Sequence, residues 1–155
     1  MKLAEALALR ADAARRAEQL RTRIATSARY QEGEAPAEDA AALLTEAGEV
    51  LSELESLIRR INRTNAATTV EGGGTLTDAL ARRDVLRLRH GLVTSAANAA
   101  VGEGQRGFRQ LRSELKMIPA LLVAELRTQA DDLARQLREV DTLIQRTNWE
   151  ADLLD

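Results

Sequence analysis

The chain has 155 residues, 45% of them hydrophobic, but it contains only one Trp, one Tyr and one Phe, and its formal net charge is −2. So few aromatic residues argue against a β-sandwich or β-barrel, and the absence of cysteine excludes disulfides and thiolate metal sites. The charge gives no global basic field to attract nucleic acid, and two Pro and nine Gly leave few turns, which favours long helices.

The first predicted helix covers residues 2–28, where apolar residues recur at steps of three and four. Its stripe consists of Leu3, Ala6, Ala13, Ala17, Leu20 and Ile24. A second helix is predicted over residues 37–65, with Pro36 at its start because the φ of proline suits that position. It carries the most regular stripe of the chain, with three further apolar residues beside it. The stripe consists of Leu43, Ala47, Val50, Leu54, Leu57 and Ile61, and the flanking residues are Leu44, Leu51 and Ile58.

A loop over residues 66–74 ends in three glycines, and the residues from Thr75 to Asp78 have the pattern of a capping box, which opens a third helix. The apolar stripe of this helix consists of Ala81, Val85, Leu88, Leu92, Ala96 and Ala99. Another face is polar and consists of Arg83, Arg87, His90, Thr94 and Asn98. Gly102 and Gly104 end the helix.

Residues 103–118 show no helical periodicity, and we expect an irregular loop or a short β-like hairpin there. Pro119 is predicted to open a fourth helix that runs to about residue 148. Its stripe again has near-heptad spacing and consists of Leu122, Leu126, Ala130, Leu133, Leu137 and Ile144.

Two pairs of segments resemble each other in the same order along the chain. Residues 3–10 resemble residues 76–83 at an offset of 73, and residues 61–65 resemble residues 144–148 at an offset of 83. We interpret the pairs as a duplicated αα-hairpin, and we predict an all-α, antiparallel four-helix bundle of long, coiled-coil-like helices built from two similar hairpins. The chain is then a single helical domain over 1–155, with hairpin one at 1–65, a linker at 66–75, hairpin two at 76–149 and a short tail at 150–155.

The apolar stripes favour self-association. Alanine lets helices approach closely but buries little area, so an alanine-rich bundle needs length or further partners to be stable. The apolar surface of the second helix is also wider than one neighbouring helix requires. We therefore predict a homo-oligomer in which the stripes are buried within and between subunits, acting as an interaction or scaffold protein for which a further protein partner is possible.

No catalytic constellation is visible. The single His90 has Arg87 three residues before it, so the Glu-x-x-His pairs of a di-iron bundle are missing. Glu46 and Glu49 match half of a metal-binding pattern of nucleotide pyrophosphohydrolases, but no Glu-x-x-Asp follows, and a solvated face explains them better. The glycine run 72–74 lacks a phosphate-loop signature. We predict no enzyme activity, no cofactor and no metal.

Polar residues that are poor choices inside helices cluster at two equivalent helix ends and near the start of the third helix. We predict a polar network that docks the hairpins, with a ligand site as the alternative. Its candidates are Asn62, Arg63, Thr64, Asn65, Arg83, Asp84, Asn148 and Trp149.

The alternative function is binding of nucleic acid or a phosphate ligand through a cluster of basic residues on the third helix and in the loop that follows it. Phe108 lies among them and offers a stacking surface. The candidates are Arg87, Arg106, Arg109, Arg112 and Lys116. A mixed surface or an oligomer contact explains the same residues better, so nucleic acid is not the favoured partner.

The first residues lack the apolar core and cleavage site of a signal peptide, and no apolar run approaches the length of a membrane span. We expect a cytoplasmic protein without a membrane interaction.

Five segments together resemble an uncharacterised, mainly actinobacterial family of small helical bacterial proteins that are sometimes labelled septicolysin-like. The segments are residues 3–10, 31–36, 61–65, 76–84 and 145–149. The resemblance implies an all-helical fold, and it supplies no established activity and no catalytic residues. The label hints at a cytolysin, which the sequence does not support because it has no secretion signal, no cysteine and no lipid-facing apolar helix.

Overall fold

The computed structural model describes residues 1–102 and 115–155, which form four helices and no strand. The helices are α1 (Leu3–Ser27), α2 (Ala40–Ala67), α3 (Leu76–Ala100) and α4 (Val123–Glu150). Helix α1 packs on α2, and α3 packs on α4, so that each pair forms a hairpin. The prediction of an all-α fold built from two helical hairpins is confirmed. None of the helices in this part of the chain is long and apolar enough to cross a membrane.

The contacts divide the chain into two compact units. One unit comprises Met1–Thr69 and Gln145–Asp155, and the other comprises Val70–Ile144, so that α4 contributes to both. In the first unit, Leu20, Leu43 and Val50 lie at the centre of a core between α1 and α2. In the second unit, Leu86, Val93 and Leu133 do the same between α3 and α4.

Two of the predicted helix starts are wrong. Helix α2 begins at Ala40 and not at Pro36, and Asp39 caps it, because the Asp39 carboxylate accepts hydrogen bonds from the backbone N–H groups of Ala41 and Ala42. Pro119 does not open α4, which begins at Val123. The predicted capping box of α3 is confirmed, since Thr75 and Asp78 bond each other's backbone N–H groups.

The expected loop at 103–118 lies mostly outside the described residues. Residues 103–114 are not among them, and residues 115–118 are irregular and exposed.

The two hairpins bury equivalent positions, as the predicted duplication implies. At the offset of 73 residues, the buried residues Leu3, Ala6, Ala13 and Leu20 of α1 correspond to Leu76, Ala79, Leu86 and Val93 of α3, which are buried too. At the offset of 83 residues, the buried residues Val50, Leu57, Ile61 and Thr64 of α2 correspond to the buried residues Leu133, Val140, Ile144 and Thr147 of α4. The predicted stripes of α1 and α2 are therefore core stripes, and so is that of α4 apart from Leu122, which lies before the helix and is exposed.

Helix α3 differs from this pattern, because the apolar stripe predicted for it is largely exposed. Val85, Leu88 and Leu92 are 48%, 74% and 71% exposed. The packed face is a second heptad stripe, which we call the inner stripe. It consists of Leu76, Ala79, Arg83, Leu86, His90, Val93 and Ala97. His90, expected on a polar face, is half-buried in this stripe.

Candidate functional site

A buried polar cluster lies at the end of α2, where Thr64 has no exposed surface. Its hydroxyl donates to the backbone oxygen of Arg60 at 2.8 Å and accepts from the backbone N–H of Leu154 at 3.0 Å. A buried hydroxyl that has both partners stabilises the fold, because leaving its partners unpaired costs free energy. Thr64 therefore connects α2 to the segment 151–155.

Two arginines of α2 bind the same segment. Arg60 donates from Nε to the backbone oxygen of Leu154 at 3.0 Å and from Nη2 to the carboxylate of Asp155 at 2.9 Å. Arg63 donates from Nη1 to the backbone oxygen of Asp155 at 3.0 Å. These bonds hold two adjacent residues of the segment against one helix.

Residues 1–3 bind the segment and the end of α4. Backbone bonds of 2.9 Å join the N–H of Leu3 to the oxygen of Ala151, and the N–H of Leu153 to the oxygen of Met1. Nζ of Lys2 donates to the backbone oxygen of Glu150 at 2.9 Å and lies 2.8 Å from the carboxylate of Asp152. The Lys2 ammonium lowers the pKa of that carboxyl from its ordinary value.

Only part of the predicted docking network takes part in this cluster. Arg63 and Thr64 bind the segment 151–155. Among the other candidates in this unit, Asn148 is buried, Asn65 is half-buried and Asn62 is exposed. Trp149 is 62% exposed.

Sequence reasoning missed Lys2, Arg60 and the segment 151–155. The sequence does contain one signal for these contacts, because Asp152 and Asp155 are acidic whereas Lys2 and Arg60 are basic. These residues are far apart in the sequence, so no local pattern pairs them.

The last two candidates of that network belong to the second unit, where they pair with each other. Arg83 is on the inner stripe, and its side chain is 24% exposed. Its Nε and Nη2 donate to Oδ1 of Asp84 at 3.0 and 2.9 Å. Both bonds use one oxygen, so Oδ2 of Asp84 has no donor among the described residues.

The predicted phosphate contacts fall largely outside the part of the chain that the structure describes. Arg106, Arg109 and Arg112 lie in the stretch 103–114. Arg87 lies on α3 with its Nη2 3.5 Å from the carboxylate of Asp141 on α4, and Lys116 is exposed.

The acidic residues in the described part of the chain are spread over its surface rather than grouped as metal ligands. Within residues 1–102 and 115–155, no three His, Asp or Glu side chains are grouped so that they would hold an ion. Glu46, one half of the pattern considered for a hydrolase, accepts a hydrogen bond of 2.7 Å from Arg16 of α1.

The remaining feature is apolar surface. On α3 we call the exposed heptad positions the outer stripe. It consists of Ala81, Val85, Leu88, Leu92, Ser95 and Ala99. On α2, Leu44, Leu51 and Ile58 are 60%, 53% and 41% exposed at intervals of seven residues. Each hairpin therefore has an apolar face that lies outside its own core. Exposed apolar faces of this kind are typical of binding surfaces.

Comparisons with known proteins place the chain in a family. It belongs to the family of unknown function DUF6847, which matches residues 10–153. It is similar to a protein of known crystal structure from Corynebacterium diphtheriae, described as functionally unknown and conserved. The two chains are 40% identical, 99% of each is covered, and the TM-score is 0.90. The comparison with curated proteins found no match.

These findings confirm the coarser part of the resemblance, a helical family without an assigned function and with an actinobacterial member. Neither description contains the septicolysin-like label, which therefore has no support.

Proposed function

We propose that this member of the family DUF6847 is a self-assembling interaction protein, whose helical hairpins bury apolar faces between copies of the chain. In this proposal the protein acts as a homo-oligomeric scaffold and carries out no chemistry of its own. The single observation that carries the proposal is the exposure of large apolar residues in regular rows on α2 and α3.

Regular rows of exposed apolar residues differ from the scattered ones that any surface has. Single exposed leucines are normal, whereas contiguous apolar patches of several hundred Å² on a monomer mark binding surfaces. Leu88 and Leu92 lie one helical turn apart on α3, and each is more than two-thirds exposed. Covering such rows removes apolar area from water, which drives association.

The test is the absolute mass of the protein by light scattering after gel filtration, at two protein concentrations and two salt concentrations. We expect a whole multiple of 16.9 kDa that resists dilution and salt, because apolar contacts are insensitive to screening. A mass of 16.9 kDa under all four conditions would overturn the proposal.

No contact among the described residues favours the alternative function, which is binding of nucleic acid or a phosphate ligand. Arg87 already faces Asp141, and of the other four candidates only Lys116 lies in the described part of the chain. A protein that neutralises phosphates would lose affinity steeply with rising salt. The alternative therefore has its own test, a binding titration with nucleic acid at the same two salt concentrations.

A further inference from the structure

We infer that the outer stripe of α3 is the contact surface for a second copy of the chain, and that two α3 helices meet there in parallel and in register. The inference rests on the proposed function and names the partner, the surface and the orientation.

The spacing of the outer stripe matches a two-stranded coiled coil. Its residues follow each other at steps of four and three from Ala81 to Ala99, which is the alternation of a and d positions. Val85, Leu92 and Ala99 occupy a positions, while Ala81, Leu88 and Ser95 occupy d positions. All six are apolar or small, so no charge has to be buried when the stripe is covered.

The duplicated hairpin contains an internal control for this surface. At the offset of 73 residues, the positions of Val85, Leu88 and Leu92 on α3 correspond to those of Asp12, Arg15 and Gln19 on α1. All three α1 residues are exposed and polar, as solvated helix positions usually are. The hairpin architecture therefore does not require apolar residues there, and their presence on α3 points to a contact outside the hairpin.

The charged residues beside the outer stripe favour a parallel orientation of the two α3 helices. Asp84 is at a g position and Arg89 at the following e position, and in a parallel pair a g residue faces the e residue five positions later on the other helix. Asp84 is exposed and has one oxygen available, and Arg89 is exposed and has no ion pair with any described residue. In an antiparallel pair that covers the whole outer stripe, e residues face e residues, so Arg89 of one helix would face Arg89 of the other and repel it.

The half-buried Arg83 positions Asp84 for the ion pair with Arg89 of the second copy. It lies on the inner stripe and binds Oδ1 of Asp84, which holds the carboxylate beside the outer stripe. Arg83 is a positioning residue in this arrangement.

The apolar surface continues beyond the helix. Ala96 and Ala99 line a groove of about 460 Å³ together with residues 117–121. In that segment Met117 and Ile118 are 91% and 84% exposed. This added surface matters because a stable interface buries about 800 Å² on each partner, more than one narrow stripe provides.

The exposed row on α2 is a weaker candidate for the same role. Between Leu44, Leu51 and Ile58, the alternate heptad positions are occupied by Gly48 and Glu55. A covered stripe on α2 would have to bury the charge of Glu55, which the outer stripe of α3 avoids.

The first experiment compares Leu88→Glu with its matched control Leu51→Glu by gel filtration with light scattering. Both leucines are exposed, so circular dichroism should show unchanged helix content in both variants. We expect the wild type and Leu51→Glu to have the mass of a dimer and Leu88→Glu that of a monomer. If Leu51→Glu alone dissociates, the surface is on α2, and the inference fails while the proposed function stands. A monomeric wild type overturns both.

The second experiment uses single cysteines, since the chain has none of its own. In a parallel, in-register pair, Ala81→Cys and Ala99→Cys each meet their own copy, and we expect each to form a disulfide-linked dimer under mild oxidation. The equivalent α1 variants, Ala8→Cys and Thr26→Cys, are the controls and should remain unlinked. If cross-linking needs a mixture of the Ala81→Cys and Ala99→Cys proteins, the helices are antiparallel, and the inferred orientation is wrong. No α3 cross-link in a multimeric wild type would overturn the inferred surface.

Discussion

Hydrogen bonds of individual side chains join distant parts of the first unit. Thr64 is the central example, because one hydroxyl bonds both its own helix and the backbone of Leu154. The neighbouring Arg60 and Arg63 add bonds to the same segment, but they are partly or wholly exposed, and exposed pairs contribute little. Thr64 should therefore contribute more to stability than either arginine.

Replacing Thr64 with valine tests this ranking. Valine keeps the shape and the β-branching of threonine but removes the hydroxyl, which leaves the Leu154 N–H unpaired. We expect the free energy of unfolding in urea to fall by about 1–2 kcal/mol. The control is Thr45→Val on the same helix, where an exposed hydroxyl bonds only the Ala41 oxygen, and its effect should stay within about 0.5 kcal/mol. Equal effects of the two substitutions would contradict a special role of Thr64.

Asp78 makes part of the stability dependent on pH. Its carboxylate accepts bonds from the backbone N–H and the hydroxyl of Thr75, and these bonds lower the pKa of the carboxyl below its ordinary value. A lowered pKa in the folded state gives a stabilisation that is present above the unfolded value and is lost as the pH falls through the folded one.

We therefore expect Asp78→Asn to be less stable than the wild type at neutral pH, with a difference that shrinks on acidification to about pH 3. Urea unfolding at both pH values measures it. A difference that stays constant or grows in acid would contradict the assignment.

At the scale of the element, α3 is a helix with two heptad stripes. Both stripes are regular, and the inner one contains Arg83 and His90, so local periodicity favours the outer one. The repeat resolves the choice, because an offset of 73 residues places the buried stripe of α1 on the inner stripe of α3. Arg83 then corresponds to Arg10, the residue that interrupts the stripe of α1.

Alanine substitutions distinguish the two stripes of α3. Both are made in a Leu92→Glu background, which keeps association from contributing. We expect Leu86→Ala to lower the free energy of unfolding by about 2–4 kcal/mol, because Leu86 is 6% exposed and its removal leaves a cavity. Leu88→Ala should change it by less than about 0.5 kcal/mol, since Leu88 is solvated in the single chain. The reverse order, measured by urea unfolding, would show that the faces are exchanged.

Local sequence patterns predict those features of the fold that depend on neighbouring residues. Periodicity and capping chemistry predict the four helices, the capping box of α3 and the core stripes of α1, α2 and α4. The predicted starts of α2 and α4 are wrong because proline is tolerated in a first helical turn but does not itself begin a helix. Asp39 caps the start of α2 instead, since its side chain accepts hydrogen bonds from free backbone N–H groups. The bonds of Lys2 and Arg60 to residues 150–155 join residues that are far apart in the sequence, and no local pattern contains them.

In the whole molecule, we propose that self-association covers the apolar surface that each single chain exposes to water. Each hairpin buries one stripe per helix, and α2 and α3 carry a second apolar row. If copies of the chain cover these rows, folding and association are linked, and stability depends on protein concentration.

Urea unfolding of the wild type at two protein concentrations, a hundredfold apart, tests this linkage. For a dimer, the account predicts that the free energy of unfolding rises by about 2.7 kcal/mol of dimer at the higher concentration, so that the midpoint moves to more urea. The Leu88→Glu variant should show no such shift. Identical midpoints of the wild type at both concentrations would contradict the account.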